Sequence, residues 1–232
     1  MDDTIERFVS DLASEDTLTL VNQYASEIPR IDRPGGASIR RDNLRAYLEP
    51  RIGRRLALIG EAPSAHGARF SGIAFTAERS LPPDRRTSAP GLRPGGFTEH
   101  SATILGRALI QVGIDPNDVI LWNVVPFHPA RVDDPLRNRT PTTLELELGA
   151  RWIARFRALM RPALVVAVGQ TANRALPAGT RVVRHPANGG SPQLQRDLAS
   201  LIAVLDDLPR SAPEELREPL AAARPEQRDP LG

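Results

Sequence analysis

Residues 56–63 are Leu-Ala-Leu-Ile-Gly-Glu-Ala-Pro, and this stretch decides the fold. An unbroken apolar run bounded by Gly and Pro is typical of a strand buried on both faces of a parallel sheet. The run stops at Glu61, and ligands of open α/β sheets bind just beyond the carboxyl ends of the strands. An ordinary strand-to-loop corner with a solvated Glu has the same pattern, so the later strands must decide between the two interpretations.

Three later apolar runs also end in polar side chains. We predict strands at 119–125, 164–168 and 181–183; Asn123 lies within the first, and His185 closely follows the last. Helical periodicity separates the runs, so strand and helix alternate along the chain. This order predicts a three-layer α/β/α sandwich with a central four-stranded, mainly parallel sheet.

The chain is predicted to form one domain over residues 1–205, with an N-terminal helical layer at 1–50 and a Pro- and charge-rich tail at 206–232. Residues 64–97 lack periodicity and are predicted to form a long loop, a feature that is usually functional or disordered in compact domains. Helices are predicted from two short apolar patches within 2–28, from a cap at Asp42, and from a start at Thr98 with Gly113 at the end. A Thr142–Glu145 capping box opens a further helix, whose Leu144, Leu148, Trp152 and Phe156 are expected to point inward.

Composition excludes several classes of protein. The 232 residues include no cysteine, which excludes disulfides, thiolate zinc sites and cysteine-ligated iron–sulfur clusters. The four histidines show no metal-ligand spacing, so we expect neither metal nor cofactor. No apolar run approaches the length of a membrane span, and the N-terminus does not resemble a signal peptide. We therefore expect a cytoplasmic monomer without membrane contact.

All 30 basic residues are arginine, and they concentrate in the middle of the chain. Residues 31–205 contain 24 Arg and 14 acidic residues, whereas both ends are acidic. A basic body suits a polyanionic partner such as a nucleic acid. A genomic preference for Arg over Lys gives the same composition, so charge supports this partner only weakly.

Four chemically distinct side chains are predicted to meet at one edge of the sheet. Glu61 offers a carboxylate, Phe75 an aromatic plate, Asn123 an amide and His185 an imidazole. Together these groups are what a protein needs to hold a nucleobase and to cleave it from its sugar.

The same residues lie in motifs that resemble the uracil-DNA glycosylase superfamily. Gly-Glu-Ala-Pro at 60–63, Ile-Ala-Phe at 73–75, Trp-Asn-Val-Val at 122–125 and Arg-His-Pro at 184–186 follow the order and approximate spacing of that superfamily. The first and third motifs are most similar to bacterial and archaeal family 4 members. The resemblance covers roughly residues 55–205 and implies a hydrolase that removes uracil from DNA, releasing free uracil and leaving an abasic site.

The resemblance also implies a role for each side chain. Phe75 would stack on the flipped base, and Asn123 would recognise the edge of uracil. His185 would donate a hydrogen bond to O2, where negative charge grows as the bond breaks. Glu61 would orient the attacking water or stabilise the cationic sugar.

Three departures from the family leave alternatives open. The cluster cysteines of family 4 are missing, and Ala62 stands where the best-known branch has a water-positioning Asp. Ser64 replaces a Tyr that screens C5 of the base in that branch. Together with Gly60, these residues are expected to line the base pocket. The alternatives are a non-catalytic or weakly catalytic binder of uracil or abasic-site DNA, and a glycosylase for another deaminated or mismatched base. An unrelated nucleotide-binding protein is disfavoured, because no Gly-x-Gly-x-x-Gly or Walker pattern follows the first strand.

Contacts with single- or double-stranded DNA are expected from residues beside the pocket. The predicted phosphate contacts are Arg69, Arg85, Arg86, Arg131 and Arg184. The loop after His185, which includes Asn188 and Gly189, would press on the duplex. The candidate wedge residues are Gln193 and Leu194.

Overall fold

The computed structural model describes residues 3–17, 19–187 and 189–208. Its sheet consists of β1 (Leu56–Gly60), β2 (Val119–Asn123), β3 (Leu164–Val168) and β4 (Arg181–Val183). All neighbouring strands are parallel, in the order β2-β1-β3-β4. The predicted four-stranded parallel sheet is therefore confirmed. β2 ends at Asn123, earlier than predicted, although backbone hydrogen bonds from Val124 to Gly60 and from Val125 to Glu61 continue its pairing with β1.

Helices cover both faces of this sheet. They are α1 (Asp3–Ser14), α2 (Gly36–Leu48), α3 (Ala68–Ser71), α4 (His100–Gln111), α5 (Thr143–Met160), α6 (Gln170–Arg174) and α7 (Ser191–Asp207). In β1, Ala57 and Ile59 face the cluster formed with α1, α2 and α5, whereas Leu56 and Leu58 face α4 and α7. This alternation of side chains builds the predicted three layers. None of the described helices is long and apolar enough to cross a membrane.

Several helix boundaries differ from the predictions. The N-terminal region contains one helix, α1, rather than two, because residues 19–26 form turns. α2 begins at Gly36, ahead of the predicted cap Asp42, whose carboxylate pairs with Arg45 instead. α4 begins at His100 rather than Thr98 and ends at Gln111; Gly113 follows its C-cap as predicted and adopts a φ of 81°.

α5 opens with the predicted Thr142–Glu145 capping box. Leu148, Trp152 and Phe156 point into the core as expected, but Leu144 is 64% exposed because it lies in the first turn, outside the stripe that faces the sheet. α7 extends through Asp207 and so includes the start of the predicted tail. Residues 209–232 lie outside the described residues.

The long loop after β1 is held by a buried ion cluster. Asp32 accepts hydrogen bonds from Arg69 at 2.5 and 2.7 Å and from Arg40 at 2.9 Å, and all three side chains are fully buried. Burial raises the pKa of Asp32, but the hydrogen bond and charge of Arg69 and the charge of Arg40 outweigh burial and lower it. Arg69 is therefore a structural residue, and its predicted contact with DNA phosphate is wrong.

A second buried carboxylate organises the distal part of the same loop. Glu78 accepts backbone hydrogen bonds from Thr87 and Ser88, both at 2.6 Å, and from Phe97 at 3.0 Å. The Phe97 ring stacks on Phe70 with a centroid distance of 4.4 Å. The region without periodicity is therefore an ordered loop whose backbone donors are satisfied by side chains.

Removing Asp32 should unfold the protein far more readily than removing an exposed acid. Asp32→Ala leaves two buried guanidinium groups without their carboxylate, so we expect a loss of about 3–5 kcal/mol in the free energy of unfolding. The matched control is Asp133→Ala, which breaks the exposed pair with Arg131 and should cost less than about 1 kcal/mol. Urea unfolding monitored by circular dichroism measures both; equal losses would contradict a structural role for the cluster.

Candidate active site

A pocket of about 460 Å³ lies at the carboxyl ends of β1 and β2, and the loop that follows β4 also contributes to its lining. It brings together most of the predicted site residues. Those that line it are Glu61, Ala62, Ser64, Phe75, Asn123 and His185. Gly60 lies directly behind Phe75 and Asn123. The parallel strands explain this convergence, because all their carboxyl ends reach the same edge of the sheet.

Gly60 permits Phe75 and Asn123 to approach the end of β1. A Cβ atom at Gly60 would lie 2.6 Å from the Phe75 ring and 2.7 Å from Asn123 Oδ1, closer than real Cβ atoms come. Phe75 itself has a φ of 49°, in the left-handed region that costs a non-glycine residue about 1 kcal/mol or more. The surrounding loop thus holds Phe75 in a strained backbone conformation, with its ring against Gly60, which has no side chain.

The Asn123 amide is poised for a ligand. Its residue is only 6% exposed, at the last position of β2. No side chain or backbone group of the described residues forms a hydrogen bond with this amide. The amide lines the pocket, so a bound partner with a complementary donor and acceptor edge can form the hydrogen bonds that the protein does not supply.

His185 is a half-buried imidazole whose surroundings favour the neutral form. Its Nδ1 accepts a hydrogen bond from the backbone N–H of Ala187 at 3.1 Å, which leaves the proton of the neutral ring on Nε2. Burial, and next the charge of Arg184, lower the pKa of His185 below its usual value. The ring lies against Gly169, where a Cβ would come within 3.0 Å of His185 Cβ.

Glu61 is a half-buried carboxyl group at the pocket wall. Burial raises its pKa, and a hydrogen bond with the Thr171 side chain opposes that rise. Its backbone oxygen accepts a hydrogen bond from Val125 at 3.0 Å, which extends the pairing of β1 and β2 beyond the strands. The carboxyl group is therefore anchored to the sheet through its own backbone.

Sequence reasoning missed a second carboxyl group in this pocket, Glu99. It is 8% exposed, and burial raises its pKa to about 7 although Ser101 and Ser64 oppose the rise. Glu99 directly precedes α4 and lay at the start of the predicted helix, where no motif marked it as a site residue. Only the folded loop shows that this carboxyl group lines the pocket.

Two further lining residues, Asn138 and Arg139, were also missed as site residues. Asn138 Oδ1 accepts the backbone N–H of Ala65 at 2.7 Å and so fixes the loop after the first motif. Arg139 pairs with Glu145 at 2.6 Å, and this hydrogen bond is the main cause that lowers the pKa of Glu145 to about 2. The capping box identified Glu145 only as a helix start; its burial and its need for a cation could not be read from spacing.

His128 supports the first motif from behind. Its ring is fully buried, with Nδ1 2.9 Å from the carbonyl oxygen of Pro63 and Nε2 3.2 Å from that of Pro135. Burial lowers the pKa of His128 to about 4, so the ring is neutral and donates to only one of these carbonyls. The shorter distance favours Pro63.

Some of the predicted DNA-contact residues are exposed, and others are already paired within the protein. Arg85 and Arg184 are exposed, whereas Arg131 pairs with Asp133 at 2.9 Å and Arg86 donates to the carbonyls of Leu81 and Arg79. Gly189 is exposed, and Gln193 is an exposed α7 residue that donates to Asp197.

Two of the predicted DNA-contact residues do not fit the predicted role. Leu194 is fully buried in the core beneath α7, so the prediction that it is a DNA wedge is wrong, like that for Arg69. The spacing of α7 turns Leu194 inward together with Leu198 and Leu201. Asn188 lies outside the described residues. Within the described ranges, no cluster of His, Asp and Glu could hold a metal ion.

Comparison with known proteins agrees with this geometry. The family model of the uracil DNA glycosylase superfamily matches residues 49–209, which is most of the chain. The chain belongs to the uracil DNA glycosylase superfamily. Membership supports a DNA glycosylase, a hydrolase that acts on N-glycosyl bonds in base excision repair, and DNA as the partner.

One solved structure that matches is that of wild-type SMUG2 from Pedobacter heparinus, with a TM-score of 0.57. The alignment covers 89% of this chain and 98% of that one, at 13% sequence identity. At such low identity the similarity shows the fold alone. No curated protein matches the chain at a significant level.

Gly60→Ala should abolish most glycosylase activity while leaving the fold intact. The new Cβ must displace the Phe75 ring or the Asn123 amide, and displacement by about 1 Å costs on the order of 100-fold in rate. The matched control is Gly106→Ala in α4, where a Cβ would meet nothing within 4 Å. Base release from labelled DNA, compared at equal folded fraction, measures the effect; full activity of Gly60→Ala would contradict this geometry.

Glu99→Gln should stabilise the protein at alkaline pH. The pKa of Glu99 is about 7 in the folded state against an ordinary 4.5, so the wild type loses stability as pH rises between these values. The loss reaches up to about 3 kcal/mol at pH 8, since one pKa unit corresponds to about 1.4 kcal/mol. Glutamine does not titrate, so the free energy of unfolding of the variant should exceed that of the wild type at pH 8 by more than at pH 4. A difference independent of pH would contradict the raised pKa.

Proposed function

We propose that this protein hydrolyses the N-glycosidic bond of uracil in DNA, releasing free uracil and leaving an abasic site. The observation that carries the proposal is the convergence of Phe75, Asn123, His185 and Glu61 on one pocket at the sheet edge. These groups match the demands of the reaction one by one. The superfamily assignment supports the reaction class, and the side chains support the base.

Recognition begins when the uracil leaves the base stack and enters the pocket. Phe75 offers a ring face on which the base stacks. The unpaired Asn123 amide has an oxygen to accept from N3–H and an NH₂ group to donate to O4. Cytosine presents the opposite pattern at these two positions, so a fixed amide would disfavour it.

Bond cleavage moves the electrons of the glycosidic bond onto the leaving uracil. His185 is neutral and donates from Nε2, so it stabilises negative charge as it grows on O2 without holding a full charge beforehand. The sugar becomes cationic, and water attacks its C1′ carbon. Glu61, in its ionised form, accepts a hydrogen bond from this water and stabilises the cationic sugar. The proton that the water loses is matched by the proton that the uracil anion takes up.

Phosphate contacts in this proposal come from the exposed arginines, chiefly Arg85 and Arg184. Arg184 directly precedes His185 and forms no side-chain hydrogen bond among the described residues. Because neutralised phosphates release counterions, affinity for duplex DNA should fall by about 0.9 log unit per contact for each log unit of salt.

The direct test uses labelled single- and double-stranded oligonucleotides that contain one uracil, followed by alkaline strand cleavage. We expect cleavage at the uracil and none in the matched oligonucleotide with thymine opposite adenine. Tight binding of uracil or abasic DNA without cleavage would instead favour the non-catalytic alternative. Cleavage restricted to another deaminated base would transfer the same mechanism to that base.

Variants of the two key polar residues separate rate from binding. His185→Ala should lower kcat about 100- to 1000-fold and change the affinity for uracil DNA much less, because the donor acts on charge that grows during the reaction. Asn123→Asp should weaken uracil release and admit some cytosine. The control is His100→Ala, an exposed histidine at the start of α4. Equal losses of kcat and affinity in His185→Ala would mean that His185 is structural.

A further inference from the structure

Glu99 is a buried carboxyl group in the pocket that the proposed mechanism does not use. It occupies the N-cap position of α4, where a side chain usually bonds the free N–H groups of the first turn. Glu99 makes no such bond; only its backbone oxygen serves the helix, accepting the hydroxyl and the N–H of Thr103. Its side chain is turned toward the pocket wall instead. Capping the helix does not explain this carboxyl group.

Hydrogen bonds inside the protein do not explain it fully either. Oε1 accepts a long hydrogen bond of 3.3 Å from Ser101 Oγ. Oε2 and the Ser64 hydroxyl are both buried; the Ser64 side chain and the Ala68 N–H lower the pKa of the carboxyl group, but neither oxygen has a partner of normal hydrogen-bond geometry among the described residues. Both groups lie against Gly67: a Cβ there would overlap Glu99 Oε2 and would lie 2.6 Å from Ser64 Oγ. Gly67 thus makes room for two polar groups that can each form a further hydrogen bond.

We propose that Glu99 is a specificity-determining residue whose carboxyl group, with the Ser64 hydroxyl, forms a hydrogen-bonding wall that contacts the base held in the pocket. The inference deepens the proposed function and rests on it, because the base is the one that Phe75 and Asn123 hold. Ser64, Ala68, Glu99 and Ser101 line the same cavity as those two residues. One wall is therefore polar and lies apart from the ends of the strands.

The neutral acid is the form that suits this contact. Burial holds the pKa of Glu99 at about 7, so a large share of the molecules carries the carboxyl proton at neutral pH. A protonated carboxyl group donates one hydrogen bond, and a base carbonyl or ring nitrogen accepts it.

The other charged groups that line the cavity do not drive this protonation. They are Glu61, His185 and Arg139, and none of them is among the causes of the Glu99 shift. Arg139 forms an ion pair with Glu145. The raised pKa of Glu61 and the lowered pKa of His185 both favour the neutral form of the side chain. Loss of the Glu99 proton as the pH rises therefore removes a hydrogen-bond donor from this wall.

The test measures binding rather than turnover, with two DNA probes. One probe carries 2′-fluoro-2′-deoxyuridine, whose glycosidic bond resists cleavage; the other carries a tetrahydrofuran abasic analogue at the same position. Fluorescence anisotropy from pH 6 to pH 8.5 gives the affinity of the wild type, Glu99→Gln, Glu99→Leu and the control Glu147→Gln, an exposed α5 position.

We expect Glu99→Leu to weaken binding of the uridine probe about 10-fold at pH 6, which corresponds to about 1.4 kcal/mol for one lost hydrogen bond, and to leave the abasic probe unchanged. The wild type should lose affinity for the uridine probe as the pH rises through about 7. Glu99→Gln keeps an N–H donor at every pH, so its affinity should not show that loss. Glu147→Gln should match the wild type throughout.

Equal weakening on both probes in Glu99→Leu would overturn the proposal, because it would place Glu99 in the scaffold rather than against the base. Persistence of the alkaline loss in Glu99→Gln would overturn it as well, since another group would then be titrating. Failure of the wild type to prefer the uridine probe over a thymidine oligonucleotide, together with no release of uracil, would instead refute the proposed function itself.

Discussion

The buried pairing of Asp32 with Arg40 and Arg69 is the interaction on which the site depends. Arg69 belongs to α3, which follows the first motif, and Arg40 belongs to α2; both donate to Asp32 Oδ1. Arg40 also donates to Thr87 Oγ1 at 3.1 Å, and Thr87 donates its hydroxyl to the carbonyl of Phe70 at 2.6 Å. One carboxylate thereby connects the start and the end of the long loop. A loop of that length would otherwise pay a large conformational entropy to order its residues.

Ordering the loop makes the strained backbone conformation of Phe75 possible. A left-handed backbone at a bulky residue persists only where the surroundings overdetermine it. Here the constraint comes from both sides: the ion cluster fixes the loop, and Gly60 leaves space at the end of β1. A stacking platform in the pocket is thus obtained through buried charges that lie outside it.

Strand positions were predicted well because buried parallel strands are short, continuous apolar runs with clear ends. β1, β3 and β4 agree with the predicted starts, and the edge where Asn123 and His185 meet follows from the parallel order alone. The same reasoning could not find Arg69 in the core, since an arginine in a polar segment is normally exposed and its buried partner Asp32 lies 37 residues away. Leu194 was misplaced for the opposite reason: proximity to the His185 loop along the chain outweighed its helical phase within α7. Glu99, Asn138 and Arg139 became visible only when the folded loops brought them to the pocket.

The titratable groups of the pocket share one electrostatic tendency. Burial raises the pKa of Glu61 and Glu99 and lowers that of His185, so each group is pushed toward its neutral form. A preoriented neutral donor such as Nε2 of His185 contributes most where negative charge grows during the reaction. The same burial makes Glu99 unfavourable for the stability of the fold at neutral pH, and hydrogen bonding with Ser101 and Ser64 offsets this cost only in part. A polar group retained in the wall at such a cost is better explained by what it contacts in the pocket than by what it adds to the fold.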